Sequence, residues 1–204
     1  MKIVVQRVNE ASVTYENTSN SIQKGICVLL GIRTDDFEMD TDYIISKILN
    51  MRLWDDGDKT WCKSVMDIDG EILIVSQFTL YGFMKGHKPD FHNSMNNEDS
   101  KAMYEKFIEK LKQKWPKVQH GFFGEHMTVN IVNDGPVTIV LDSREEERLE
   151  GAEGMAKMGG IKALKGYERH LKAKEAALNK QKSKETQIVS EQNNVPQIET
   201  QQVE

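Results

Sequence analysis

The feature that most constrains this chain is a break inside a strand-like stretch, Asn133-Asp134-Gly135-Pro136-Val137-Thr138. It lies between two apolar runs, His126 to Val132 and Val137 to Leu141. Proline has no N–H to give to a β-ladder, and glycine tolerates backbone angles closed to other residues, so the pair interrupts regular pairing. Two readings stay open. The pair makes the turn of a β-hairpin, or it is a cis X-Pro bond kept in a tight turn for a purpose, since that isomer costs little at proline. In both, two glycine-marked strands close the domain around Gly135-Pro136.

The remaining pattern is β-rich with two helices. Lys2 to Val8 alternates and reads as a strand, and Ala11 to Tyr15 reads as a second after the polar break Asn9-Glu10. Asn17 to Asn20 is a turn. Gly25 to Ile32 is continuously apolar and fits a buried central strand. Asp40-Thr41 can cap a helix whose stripe is Ile44, Ile45, Ile48, Leu49 and Leu53. Asp55-Asp56-Gly57-Asp58 is a solvated turn that lacks the spacing of a calcium loop. Trp61 to Met66 is a short strand, Asp69-Gly70 a hairpin signal, and Glu71 to Phe78 a clear strand. Tyr81 to Asn97 is an irregular polar loop, and a loop of that length is functional or disordered. Asn96 or Asn97 caps a second helix with the stripe Met103, Phe107 and Leu111, stopped by Pro116. The expected class is α+β: mainly antiparallel β-sheets forming a barrel-like or sandwich core, with two packed helices and no alternating βαβ order.

Hydrophobic residues make up 38% of the 204 residues, and nearly all the aromatic and branched ones fall before about residue 150. The reading is a cored domain over residues 1–143, a charged, partly helical basic extension over 144–182, and a disordered Gln-, Ser- and Glu-rich tail over 183–204. Charge divides the same way. The first 154 residues hold 18 Lys and Arg against 26 Asp and Glu, while Met155 to Lys184 holds nine Lys and Arg against two Glu. An acidic body argues against broad nucleic-acid binding by that body. The basic run at 155–184 could contact RNA phosphates, and a solvated extension without a partner explains it too. Two distant cysteines, Cys27 and Cys62, fit small buried residues better than a disulfide framework. No signal peptide or membrane span is legible, so the expectation is a soluble, cytoplasmic protein.

The usual catalysts are poorly arranged. His87 and His92 flank Pro89 and cannot be presented to zinc by one helix, and no HExxH or CxxC pattern exists, so no metal and no cofactor are expected. Ser76 and Thr79 stand at a strand end, where polar residues are common without being nucleophiles, and no G-x-S-x-G elbow surrounds Ser76.

Five stretches taken together resemble one family. Met1 to Val8, with Arg7, is similar to its opening strand; Met51-Arg52-Leu53-Trp54 to its helix end; Ser76-Gln77-Phe78-Thr79-Leu80 to its first signature; Gly86 to His92 to its loop; and Asn133 to Thr138 to its second signature. The chain resembles the D-aminoacyl-tRNA deacylases over roughly residues 1 to 142. The resemblance implies a homodimer that hydrolyses the ester between a D-amino acid, and to some extent glycine, and the 3′ end of tRNA. It implies a cis Gly135-Pro136 peptide inserted into the partner's site, with both carbonyls toward the substrate's amino group, and Arg7 holding that segment. It implies a pocket of Ser76, Gln77, Phe78 and Thr79, with the Phe78 and Thr79 N–H groups on the oxyanion and Met127 as a further pocket residue. Competing readings are a non-catalytic RNA- or DNA-binding module and a hydrolase of other α-amino acyl esters.

Overall fold

The computed structural model describes residues 1–144. The extension and tail expected over 144–182 and 183–204 therefore lie, from 145 onward, outside the described residues.

Ten strands and two α-helices follow in the order β1 (Lys2–Tyr15), β2 (Thr18–Ile22), β3 (Gly25–Gly31), α1 (Glu38–Asn50), β4 (Trp54–Asp56), β5 (Lys59–Lys63), β6 (Glu71–Ser76), β7 (Phe83–Lys85), β8 (Lys88–Asp90), α2 (Asn97–Lys114), β9 (Val118–His120) and β10 (Thr128–Asp142). The main sheet has six strands, ordered β10-β1-β3-β6-β9, with β2 also on β1. Its two faces separate by the two-residue period of a strand. Ile26, Val28, Leu30, Ile72 and Ile74 meet α1 and α2 through Ile44, Ile48, Phe107 and Leu111. Cys27, Leu73 and Val75 meet Val8, Val13 and Val129 on the other side. The sheet curls far enough for Asn20 Nδ2 on β2 to donate to the carbonyl of His120 on β9, 2.7 Å away, which makes it barrel-like.

Several expectations change. β1 runs unbroken through Asn9-Glu10, absorbing the polar pair as register shifts between Gln6 and Glu10. The turn after it is confined to Glu16 and Asn17, and Thr18 already pairs with Tyr15. α1 starts at Glu38, where the Asp40 carboxylate accepts from the N–H of Phe37, and Leu53 lies past its end. Asp69-Gly70 ends no hairpin: it feeds β6, which pairs parallel to β3, and β9 pairs parallel to β6. The sheet is thus mixed rather than all antiparallel. Parallel neighbours need long crossovers, and α1 with β4–β5 and then α2 supply them. The loop from Tyr81 contains a small hairpin, β7 with β8.

The largest change concerns Gly135-Pro136. β10 is one strand, not two around a turn. Gln6 pairs with Thr138 and Val8 with Asn133, so Asp134 to Val137 bulge out opposite Arg7 before pairing resumes. Proline is tolerated there because β10 is an edge strand and the bulge asks nothing of its missing N–H.

Candidate active site

β6 ends at Ser76, and the ladder reaches one residue further, with Gln77 N–H donating to Leu30 O at 2.8 Å. The chain then closes into a short 3-10 turn, Phe78–Tyr81. Two N–H groups of its first turn, on Phe78 and Thr79, have no backbone acceptor among the described residues, as helix starts dictate. The turn is pinned from outside: Ser94 Oγ donates to Phe78 O at 2.8 Å. The Ser94 segment is itself tied to the end of β3 by Thr34 N–H to Asn93 O and Met95 N–H to Ile32 O.

Beside this turn lies a cavity of about 640 Å³, lined by Ser76, Gln77, Phe78, Phe91, Phe123 and Met127 among others. That size suits a small-molecule moiety. Met127 is held by its sulfur, which accepts from the Phe122 N–H at 3.0 Å. Thr79 is exposed and does not line the cavity. Its hydroxyl oxygen accepts a short hydrogen bond from Gln77 Nε2. A depression of about 620 Å³ along α2, lined by Tyr104, Glu109, Lys112 and His120, holds none of the motif residues.

Glu125 and His126 stand at the cavity wall, though neither belongs to either motif. His92 is paired with Asp90, Nδ1 to Oδ1 at 2.6 Å. The Asp90 carboxyl is held below its usual range chiefly by the His92 backbone N–H and then by the ring. Among the described residues no group of three His, Cys, Asp or Glu is placed to hold a metal ion.

The second motif forms a separate structure. The Gly135–Pro136 peptide is cis. Gly135 has φ +123°, and a Cβ there would stand 3.1 Å from Val137 N and 3.3 Å from Arg7 Nη2. Only glycine suits both the angle and the space. Arg7 spans the bulge: Nε donates to Asp134 O at 3.2 Å and lies 3.1 Å from Asp134 Oδ2, while Nη1 donates to Leu53 O at 2.5 Å. Such a fork fixes direction as well as charge. Gly135 and Pro136 are exposed and absent from the cavity lining.

The expected residues therefore fall into two groups. Ser76, Gln77, Phe78 and Met127 meet at the cavity, with Thr79 just outside. Arg7, Gly135 and Pro136 meet at the bulge. Sequence reasoning missed Phe91, Phe123 and Ser94. The available signal was the long polar loop after the first motif, which carries Phe91 and Ser94 back against it.

The profile of the family described as D-Tyr-tRNA(Tyr) deacylase matches residues 4–142. The D-aminoacyl-tRNA deacylase 1 of Leishmania major is 49% identical over 150 residues, 71% of this chain and 99% of its own length. The D-aminoacyl-tRNA deacylase of Drosophila melanogaster is 45% identical over 150 residues, 72% of this chain and 95% of its own. The solved structure of a c-Myc DNA Unwinding Element Binding Protein superposes with a TM-score of 0.67 at 47% identity, covering 70% of this chain and 98% of that one. By its motifs, its fold and these relatives, the chain belongs to the D-Tyr-tRNA(Tyr) deacylase family.

Proposed function

We propose that the chain hydrolyses the ester of D-aminoacyl-tRNA, and of glycyl-tRNA to some extent, and that it works as a homodimer in which each chain's Gly135-Pro136 bulge completes its partner's cavity. The observation that carries this reading is the division of the two motifs. One builds a cavity with free N–H donors at its rim, and the other stands exposed on an edge strand of the same chain. The exposed Val132 and Val140 on β10 support a self-contact, since an open apolar strand edge is otherwise a liability.

In this reading the carbonyl oxygens of Gly135 and Pro136 accept hydrogen bonds from the substrate's ammonium group. Backbone acceptors are indifferent to the amino-acid side chain, so one site serves many D-amino acids. An L-residue holding its ammonium in the same place drives its side chain into the wall made by Pro136, and that clash sets the selectivity. Glycine carries nothing to clash. Water adds to the ester carbonyl, and the N–H groups of Phe78 and Thr79 stabilise the oxyanion. The carbon–oxygen bond to the terminal ribose then breaks, and the departing ribose oxygen takes up a proton. The vicinal ribose hydroxyl assists, and the Thr79 hydroxyl does not attack. Its oxygen already accepts from Gln77, and among the described residues no histidine or carboxylate is bonded to it as a base.

The test is deacylation of D-Tyr-tRNA against L-Tyr-tRNA. Wild type releases the D-ester and spares the L-ester, Thr79→Ala keeps most of that activity, and Pro136→Ala loses the contrast. Trapping an acyl-Thr79 adduct would overturn the mechanism. Hydrolysis of neither ester by folded dimer would favour a nucleic-acid-binding module, the role for which the solved relative is named.

A further inference from the structure

The β7–β8 hairpin leaves directly from the cavity wall and returns to it. Phe78 and Phe91, on either side of it in sequence, both line the cavity and pack edge to face with ring centroids 5.1 Å apart. Gly82, at its base, donates its N–H to Thr79 O at 2.9 Å. These contacts tie the base of the hairpin to the turn that carries the first motif.

Its register sorts its side chains. Phe83 pairs with Asp90, Met84 with Pro89 and Lys85 with Lys88. Alternation puts Phe83, Lys85, Lys88 and Asp90 on one face and Met84 and Pro89 on the other. On the first face, Phe83 is 41% exposed and stands edge-on to His92 with centroids 5.0 Å apart. Asp90 is taken by His92. Lys85 and Lys88 are directly opposite each other and exposed, and among the described residues neither makes an ion pair or hydrogen bond through its side chain. Like charges across a ladder repel and destabilise it. The carboxylate on this face, Asp90, bonds His92 rather than either lysine.

An exposed aromatic ring and a lysine pair without an ion-pair partner among the described residues, on one face of a hairpin flanked by the cavity residues Phe78 and Phe91, match the requirements of single-stranded nucleic acid. A base stacks on the ring, and the adjoining phosphate meets the cations. We infer that the Phe83, Lys85 and Lys88 face of the β7–β8 hairpin grips the unpaired 3′ nucleotides of the RNA whose terminal aminoacyl ester occupies the cavity. The inference rests on the deacylase reading above. The hairpin supplies binding and register to the RNA and touches no reacting atom.

The experiment compares wild type, Phe83→Ala and the double variant Lys85→Gln/Lys88→Gln on two substrates. One is D-Tyr-tRNA and the other is the D-tyrosyl ester of adenosine, which lacks the preceding nucleotides. On D-Tyr-tRNA, Phe83→Ala raises KM about tenfold with kcat unchanged. The double lysine variant also raises KM, and its slope of log KM against log salt flattens by between about 1 and 2. Both variants hydrolyse the adenosine ester as wild type does. An unchanged KM for D-Tyr-tRNA in folded variants overturns the inference. So does an equal loss on the adenosine ester, which would assign the hairpin to the cavity itself. A shift of the variants from dimer to monomer overturns it too, by assigning this face to the self-contact. If wild type hydrolyses neither substrate, it is the deacylase reading that fails.

Discussion

Arg7 shows how much one side chain settles here. It is the residue opposite the bulge, and its guanidinium reaches both Asp134 and Leu53. A lysine could satisfy one of those acceptors but not hold the segment between two. The two thiols illustrate the opposite case, in which position removes chemistry. Cys27 sits in the core on β3, and burial pushes its thiol up to about 12. Burial therefore keeps it a neutral, unreactive thiol at pH 8. Cys62 on β5 is partly exposed. A thiol-alkylating reagent should therefore modify one cysteine per native chain at pH 8, Cys62, and both after denaturation. Rapid native labelling of Cys27 would contradict the packing around it. Both cysteines were readable as small apolar residues, but only the fold separates the buried one from the accessible one.

At the scale of elements, legibility followed the length and regularity of the pattern. β3 and β6 were visible as apolar runs and α2 as a stripe with an Asn96 cap, whose side chain accepts from the Asp99 N–H at 3.0 Å. The parallel pairing of β3 with β6 was foreshadowed by those same continuous runs, yet periodicity does not name a partner. β10 was misread as two strands because Gly-Pro is a turn signal in isolation. Only β1, supplying Arg7 opposite the gap, turns the break into a bulge. The first motif was legible as residues but not as a cavity, because Phe91 and Phe123 reach it through loops whose course depends on long-range contacts. β10 also carries a prediction of its own. Val140 is 60% exposed and Val132 47% exposed along this open edge. If β10 forms the proposed self-contact, Val132→Lys/Val140→Lys should shift the protein from dimer to monomer in analytical ultracentrifugation while leaving the far-ultraviolet circular dichroism unchanged. A folded variant that stays dimeric at low micromolar concentration would place the contact elsewhere.

Over the whole molecule, the domain closes at a polar clasp. The α-ammonium of Met1 is fully buried, donating to Asp36 Oδ1 at 2.6 Å and to Ser143 Oγ at 2.5 Å. Ser143 Oγ in turn donates to Asp40 Oδ1 at 2.7 Å, and Arg144 Nη1 lies 2.6 Å from Asp35 Oδ2. Burial raises the Asp36 carboxyl above its usual range despite the ammonium beside it. Ser143 and Arg144 thus work as part of the body. Relative to truncation after Arg144, truncation after Asp142 should cost about 2 kcal/mol or more, because charged groups lose buried partners. Equal melting temperatures for the two truncations would show the clasp to be dispensable.

The separation of cavity and bulge within one chain reaches beyond the single molecule. On the proposed pairing, no chain uses its own filter: the quality of its catalysis and the fidelity of its choice are encoded in different copies. In a mixed population, a subunit with a ruined cavity still lends a sound filter to a permissive neighbour. That neighbour becomes selective again through a partner that cannot turn over at all. Errors of rate would then stay with the chain that bears them, while errors of chirality pass to its companion.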